Sequence, residues 1–497
     1  FFTFVAIVAV RTCFEFLLEP SRSVTLFDSF YYSLVDYIHI LLSWLSLFLS
    51  VVLWLKVIYK KDIFKIINLV LAGFCVIWIV PLIDFIFYSG IEISYRYDFS
   101  TFWHTFIHLF NPFVSLGHIS TGVRVEVAVV LVFVSIYGRV IKQSFLQILG
   151  AVFGVYTIIF TYGYLPAIYA YILNIDFFTI VAHSVLIEKS LVHLTAYIYI
   201  VPLTVQAAVL LFLMPKNIQK SFLYIARFER MSIYLGIFLL AAFLALKNGL
   251  GGMEVLNFYD INKTLAAILS IACAFMYASV INDVSDEMSD KISNDKRVLV
   301  QNLLSKQNFV ELGTVFLFFS FLFAVTVNRH FAFLLLGVVA LSYLYSKPPF
   351  YLKRFFILSH LTLSMIALLV ALLGFCFIEA NLAFKKADVL FLGATGIFYF
   401  IASHFKDIKD YEADKRYGTV TLATIAGKNK AFVLLQSAVG SVFFVLMFFA
   451  FNVGFIYAVT LTALLFVLFF KINDSEKSIL LAQLFGFAAL VYYVASV

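Results

Sequence analysis

Charge is what this chain has least of. Asp, Glu, Lys and Arg make up 13% of its 497 residues, where a soluble domain averages about 25%. So little charge excludes an ordinary water-facing surface. Apolar residues supply 63% of the chain and the mean hydropathy is +1.02. No soluble core could absorb that much apolar surface, so lipid must be the solvent for most of it. Cysteine is scarce too. Cys13, Cys75, Cys273 and Cys376 lie in apolar runs and none forms a CxxC pair. They read as small buried hydrophobes, which excludes a disulfide framework and a zinc site. No Lys/Arg-rich tract with interleaved aromatics occurs, so nucleic acid is excluded as a partner. The net charge of +7 instead reads as Lys and Arg retained on the cytoplasmic side of a membrane. The 60 Phe residues suit lipid-facing helices and specify no chemistry.

Apolar segments of roughly 20 residues cross a bilayer. Such spans are expected at 1–18, 31–57, 64–88, 122–140, 145–173 and 190–214. The first of them reads equally as a signal segment. The stretch 101–120 is apolar but interrupted by Asn, Pro and Gly, and reads as a re-entrant or interfacial piece. A polar joint follows at 215–230, with Lys216, Lys220, Arg227 and Arg230. It sets a domain boundary near 220. Beyond it, spans are expected at 231–247, 264–282, 309–327, 330–346, 355–377, 388–404, 431–451, 453–470 and 478–496. The chain is thus an all-α polytopic membrane protein. Residues 1–220 form an extra domain of about six or seven transmembrane helices, of unassigned function, ahead of a nine-helix bundle over 221–497. The loops after the second, fourth, sixth and eighth of these nine spans carry 15 Lys and Arg, and the opposite loops carry 5. By the positive-inside rule the first set is cytoplasmic.

Two acidic stretches interrupt that side: INDVSDEMSDKISNDKR at 281–297 and KDIKDYEADKRYGTVTL at 406–422. Asp283, Asp286 and Asp290 stand at offsets 0, 3 and 7, and Asp407, Asp410 and Asp414 repeat those offsets. On a helix each triplet falls within an arc of about 60°. Six facing carboxylates would repel one another and take up protons. Divalent cations relieve this, and Mg²⁺ favours one or two carboxylates plus substrate phosphates. The plainer alternative is two solvated helix caps, which does not explain a repeated spacing. Between the two lies SYLYSKPPFYLKRF at 342–355. Pro348 and Pro349 stop the helix there, and Lys347, Lys353 and Arg354 suit diphosphate oxygens or an ordinary cytoplasmic loop.

Together these three elements resemble the UbiA superfamily of intramembrane prenyltransferases. Asn282, Asp283, Asp286 and Asp290 match its NDxxDxxxD motif. Asp407, Asp410, Asp414, Gly418, Thr421 and Leu422 match the second acidic motif and its GxxTL tail. Tyr345, Ser346, Pro348, Pro349, Leu352, Lys353 and Arg354 match its YSxPPxxLKR-like loop. The resemblance covers about 225–497. The first motif continues without the usual prolines, and His360 stands where Asn is often found early in the fifth helix. These departures leave the acceptor and subfamily open.

The resemblance implies a nine-helix UbiA-like fold and transfer of a prenyl group from a prenyl diphosphate to a lipophilic acceptor. It implies catalytic carboxylates at Asp283, Asp286, Asp290, Asp407, Asp410 and Asp414. Of these Asp283, Asp286, Asp407 and Asp410 would hold two Mg²⁺ ions. Substrate would meet Asn282, Arg297, Tyr345, Ser346, Lys353, Arg354 and Lys406. Partners are prenyl diphosphate, an unidentified acceptor and membrane lipids, with homo-oligomerisation left open. Competing readings are a carrier that binds or flips a prenyl-phosphate lipid, and a divalent-cation transporter. The latter would place its acids at the bilayer midplane, not at helix ends. The DGxxAR…GxxxD signature of CDP-alcohol phosphotransferases is absent.

Residues 1–215 match no family pattern. Their candidate polar positions are Asp84, Trp103, His104, His108, His118, Arg124 and Glu126. His104 and His108 would share a helix face, as a metal pair or as interfacial hydrogen-bonders. Arg124 and Glu126 read as an ion pair or a headgroup contact.

Overall fold

The computed structural model describes residues 1–18, 30–88, 99–111, 113–114, 116, 119–182, 190–250, 257–293, 296–378, 384–418, 420–450, 453–471, 486 and 488–492. Among them all regular structure is helical, and eleven helices are long and apolar enough to cross a membrane. The protein is an integral multi-pass membrane protein. It divides into two compact units. One comprises Phe1–Ser184, Lys189–Pro215 and Asn257–Lys263, and the other Val185–Glu188, Lys216–Leu256 and Thr264–Val497.

The first unit contains α1 (Phe2–Leu18), α2 (Phe30–Tyr59), α3 (Ile63–Gly73), α4 (Ile79–Tyr88), α5 (Phe102–His108), α6 (Thr121–Val140), α7 (Phe145–Gly163), α8 (Leu165–Leu173), α9 (Phe177–Ala182) and α10 (Leu191–Leu213). Polar side chains start these helices by accepting orphan backbone N–H groups. Asp62 caps α3, Ser120 α6, Ser144 α7 and Ser190 α10. The central helix α2 packs on α7 and α10. Gly154 of α7 permits that approach, since a Cβ there would lie 2.0 Å from the Trp54 indole nitrogen. Hydrogen bonds across lipid-embedded helices then fix the register. Ser46 donates to Gln206 Oε1 (3.0 Å), and Gln206 Nε2 donates to the Tyr162 hydroxyl (2.6 Å) and to Ser50 (2.7 Å).

Three expectations are modified here. The span expected at 145–173 is two helices, broken at Tyr164, with Pro166 in the first turn of α8 where its missing N–H costs nothing. The span at 64–88 is interrupted by a 3-10 turn, Phe74–Trp78. Arg124 does not pair with Glu126. Its guanidinium donates to the carbonyls of Asn111 (2.9 Å) and Val114 (3.0 Å), while Glu126 faces a cavity. His104 and His108 share α5 with ring centroids 4.8 Å apart; His118 lies outside the described residues.

The second unit contains α11 (Lys216–Ala226), α12 (Phe228–Leu250), α13 (Phe258–Ser285), α14 (Glu287–Ser293), α15 (Lys306–Val327), α16 (Arg329–Ser346), α17 (Phe356–Ile378), α18 (Lys386–Ser403), α19 (Phe405–Lys409), α20 (Tyr411–Tyr417), α21 (Leu422–Ala426), α22 (Lys428–Val445) and α23 (Phe455–Lys471). Eight of the nine expected spans correspond to α12, α13, α15, α16, α17, α18, α22 and α23. The ninth, 478–496, falls largely outside the described residues. Helix α17 is the hub, packed against α12, α16 and α18. Its Gly374 sits under α12, and a Cβ there would lie 2.4 Å from the Phe238 carbonyl oxygen.

Candidate active site

Both acidic motifs sit at helix ends in the second unit, and both bend at their middle aspartate. α13 ends at Ser285, Asp286 occupies a bend, and α14 begins at Glu287. α19 ends at Lys409, Asp410 is the joint, and α20 begins at Tyr411. The expected straight triplet is therefore two short arms, because each middle residue departs from helical geometry. The amide ladder is nevertheless kept. Asp286 N–H donates to Asn282 (2.9 Å), Asp290 to Asp286 (2.8 Å), Asp410 to Lys406 (3.2 Å) and Asp414 to Asp410 (2.9 Å). The GxxTL tail has a local cause. Gly418 ends α20 at φ +69, which favours glycine, and Thr421 caps α21.

Cations already hold the first motif. Asp283 is buried against Arg227, with Arg297 Nε 3.6 Å from the same oxygen. Arg297 Nε is also 3.4 Å from Asp290 Oδ2. Lys353 Nζ lies 2.5 Å from Asp286 Oδ1 and donates to Asn282 Oδ1 at 3.3 Å. Asn282 in turn donates to Asp286 Oδ2 (3.0 Å), and Ser346 donates to Asn282 Oδ1 (3.5 Å). The loop after α16 thus reaches the first motif through Ser346 and Lys353. Arg354 is exposed and stacks over Tyr351, 4.1 Å from the ring centroid.

The second motif converges on the same place. α14 packs against α20. Lys406 lies in the field of Asp286, Asp407 and Asp410, with its ammonium 6.0 Å from the Tyr345 ring centroid. Burial pushes the Asp414 carboxyl up to about 7, and Asp407, Asp410 and Asp286 push it the same way. Burial likewise raises Asp290 to about 6, against the pull of Arg297. Its Oδ2 is buried without a hydrogen-bond partner. Six carboxyl groups gathered at one place, one with a buried oxygen that accepts no hydrogen bond, make an oxygen-rich donor set that fits Mg²⁺.

Sequence reasoning missed four participants. Arg227 precedes α12 and Arg230 lies in its first turn, and in the sequence both read as an ordinary basic joint. Arg227 adopts φ 41, rare for a residue with a side chain, and turns its guanidinium onto Asp283. In the sequence His360 reads only as a departure from the family pattern. It bonds Asp407 Oδ2 through Nε2 (2.9 Å) and Ser403 through Nδ1 (2.9 Å). The His404 ring lies against it, tilted by 36° with ring centroids 3.5 Å apart. His360, His404 and Asp407 form the one group of three potential metal-ligating side chains among the described residues, their ligand atoms within 4.8 Å of one another.

Beside the motifs lies a cavity of about 180 Å³. One wall is a single face of α13, where Ile271, Ala274, Phe275 and Ala278 lead up to Asn282. Leu363, Ile366, Val370 and Leu373 of α17 line it as well. Arg227, Arg230, Asn282, Ser346 and Lys406 supply its polar lining, and Tyr234, Tyr345 and Tyr399 its aromatic hydroxyls. The arrangement can hold a phosphorylated head beside the acids and an apolar chain between helices.

Comparison with known proteins matches this half of the chain. A curated relative, the probable homogentisate phytyltransferase 2, chloroplastic, of Oryza sativa subsp. japonica, is 27% identical over 188 residues. That stretch is 36% of this chain and 49% of the relative, so the chain spans about half the length of the curated relative. A UbiA homolog from Archaeoglobus fulgidus, solved with DMAPP and Mg²⁺, is 18% identical. The match covers 56% of this chain and 98% of that one, with a TM-score of 0.40. A structure reported for digeranylgeranylglyceryl phosphate synthase is 18% identical and covers 57% and 99%, with a TM-score of 0.41. The family model described as the UbiA prenyltransferase family matches residues 235–491, from within α12 to the last described helical residues. With that match over half of the chain, and both acidic motifs inside it, this protein belongs to the UbiA prenyltransferase family.

Proposed function

We propose that residues 221–497 transfer a prenyl group from a prenyl diphosphate to a lipophilic or membrane-interface acceptor, with the Asp-rich motifs on the cytoplasmic side. The observation that carries the reading is the convergence of two cation-studded carboxylate motifs on one apolar cavity. The names of the relatives support it: one is a phytyltransferase, and one homolog was solved with DMAPP and Mg²⁺.

Asp283, Asp286, Asp407 and Asp410 would hold Mg²⁺, with Asp290 and Asp414 beside them. Bound Mg²⁺ supplies charge neutralisation to the departing diphosphate. The chain supplies the rest. Arg227, Arg297, Lys353 and Lys406 exchange their carboxylate partners for diphosphate oxygens, and Asn282 and Ser346 orient the head. The α13 and α17 stripes hold the prenyl chain and exclude water from the allylic cation that forms as the C–O bond breaks. Tyr234, Tyr345 and Tyr399 line the cavity and stabilise that cation through their ring faces. The acceptor's nucleophilic atom then attacks the allylic carbon and releases its proton.

The test is a turnover assay on the purified full chain. Radiolabelled geranylgeranyl and longer prenyl diphosphates are supplied with Mg²⁺ and an acceptor panel, beside Asp283→Ala/Asp407→Ala. Mg²⁺-dependent transfer that the double variant loses establishes the reading. Prenyl diphosphate binding without transfer to any acceptor points instead to a carrier. Absence of binding sinks both.

A further inference from the structure

The first unit carries a half-open cavity of about 1240 Å³ that the proposed chemistry does not use. Its lining is graded along two helices. On α2 the lining residues are polar or amphipathic first, at Asp36, His39, Ser43 and Trp44. They then become apolar at Leu47, Val51 and Leu55. On α6 Val123 precedes Glu126, and from Glu126 the lining is apolar at Val127, Val130, Phe133 and Val134 before Tyr137.

The two gradients run the same way. Arg11 of α1 stacks on Trp44, 4.8 Å from the ring centroid, and lies in the field of Glu126. Farther along, the Tyr59 hydroxyl donates to the Val134 carbonyl (3.0 Å). Polar end therefore meets polar end, and apolar end meets apolar end. From Trp44 to Tyr59 is about 22 Å of helix at 1.5 Å per residue. The space suits one long apolar chain with a polar head.

The head end is charged but not cationic. Arg11 and Glu15 pair at 2.8 Å, and each is 6% exposed. Arg11 Nε and Glu15 Oε2 are both buried without a hydrogen-bond partner. Glu126 and Asp36 add further acceptors to the same lining. Ionisable groups inside a bilayer are costly and mark a site by default. A hydroxyl matches this end: it donates to a carboxylate and accepts from Arg11 Nε. A carboxylate or phosphate head would be repelled by the carboxylate of Glu15.

We propose that the first unit binds a long-chain lipid with a neutral hydroxyl head, seated with that hydroxyl between Arg11, Glu15 and Glu126. The site is independent of the prenyl diphosphate reading. The test uses full-length protein in detergent with tritiated geranylgeraniol as probe and geranylgeranoic acid as its anionic counterpart. The alcohol binds saturably, near one per chain, and the acid binds at least about tenfold more weakly, one charge-assisted hydrogen bond being worth that factor. Val130→Trp, which fills the cavity, abolishes alcohol binding, and Glu126→Gln weakens it about tenfold. Melting temperatures within a few degrees of the parent show that both variants fold. Should the acid bind as well as the alcohol, or Glu126→Gln leave binding unchanged, the space is a lipid-filled groove without head recognition. Loss of binding in Asp283→Ala alone would assign the alcohol to the second unit and overturn the proposal.

Discussion

Asp283 shares one carboxylate oxygen between Arg227 and Arg297, and its side chain is 2% exposed. Removing Arg227 leaves the buried carboxylate with only the 3.6 Å contact to Arg297, at a cost of up to about 3–5 kcal/mol. Arg227→Met therefore lowers the melting temperature sharply, and Mg²⁺ raises it again by more than it raises that of the parent, because the ion replaces the lost cation. An equal Mg²⁺ effect on both proteins would remove Asp283 from the ion site. Protonation gives a second check. The carboxyls of Asp290 and Asp414, held up at about 6 and about 7, keep protons that an incoming cation must displace. Mg²⁺ affinity accordingly rises with pH from 5.5 to about 8 in calorimetric titrations, with proton release largest at the acid end. A flat profile contradicts the assignment. The aspartates themselves were legible in the sequence because their spacing repeats along the chain. Arg227, His360 and His404 were not, because each acts across space on a partner more than 40 residues away or through a ring contact, which no local pattern records.

At the scale of helices, apolar runs predict where spans lie, and caps such as Ser120, Ser305 and Asn328 place their starts. Breaks inside a run are less legible. Tyr164 interrupts α7–α8, and the π-helical turn Leu446–Ala450 closes α22, without any change in hydropathy. Close helix crossings are equally silent in composition. Gly374 brings α17 against the α12 backbone, and an added side chain meets a carbonyl that cannot rotate away. Overpacking of this kind costs about 1–3 kcal/mol. Gly374→Ala lowers the melting temperature, and Gly374→Val does so further and reduces prenyl transfer, since α17 also carries His360. Gly393 of α18, which has open space around it, accepts Ala with little change and serves as the control.

For the whole molecule, the charge bias of the loops is the one global property the sequence states directly. It predicts that the acidic motifs face the cytoplasm. Single cysteines at Lys415 and Arg329, both exposed, test this with a membrane-impermeant maleimide. In sealed cells Arg329→Cys is labelled and Lys415→Cys reacts only after permeabilisation; the reverse pattern overturns the orientation. The cavity of the first unit, by contrast, was invisible in sequence. Its polar members, from Arg11 to Glu126, come from three helices and look like stray charges until folded together.

The salt bridges of the first motif carry one more implication. Each carboxylate there has a cation before any substrate arrives, so a metal ion coming alone must evict Arg227, Arg297 or Lys353 and leave it stranded. A diphosphate coming alone meets bases already engaged. Arriving together, the two ligands trade partners with the resident pairs, and no buried charge is left over. On the proposed function each ligand would then tighten the other by the same factor, as thermodynamic reciprocity requires, and neither a stray ion nor a metal-free diphosphate would be held alone.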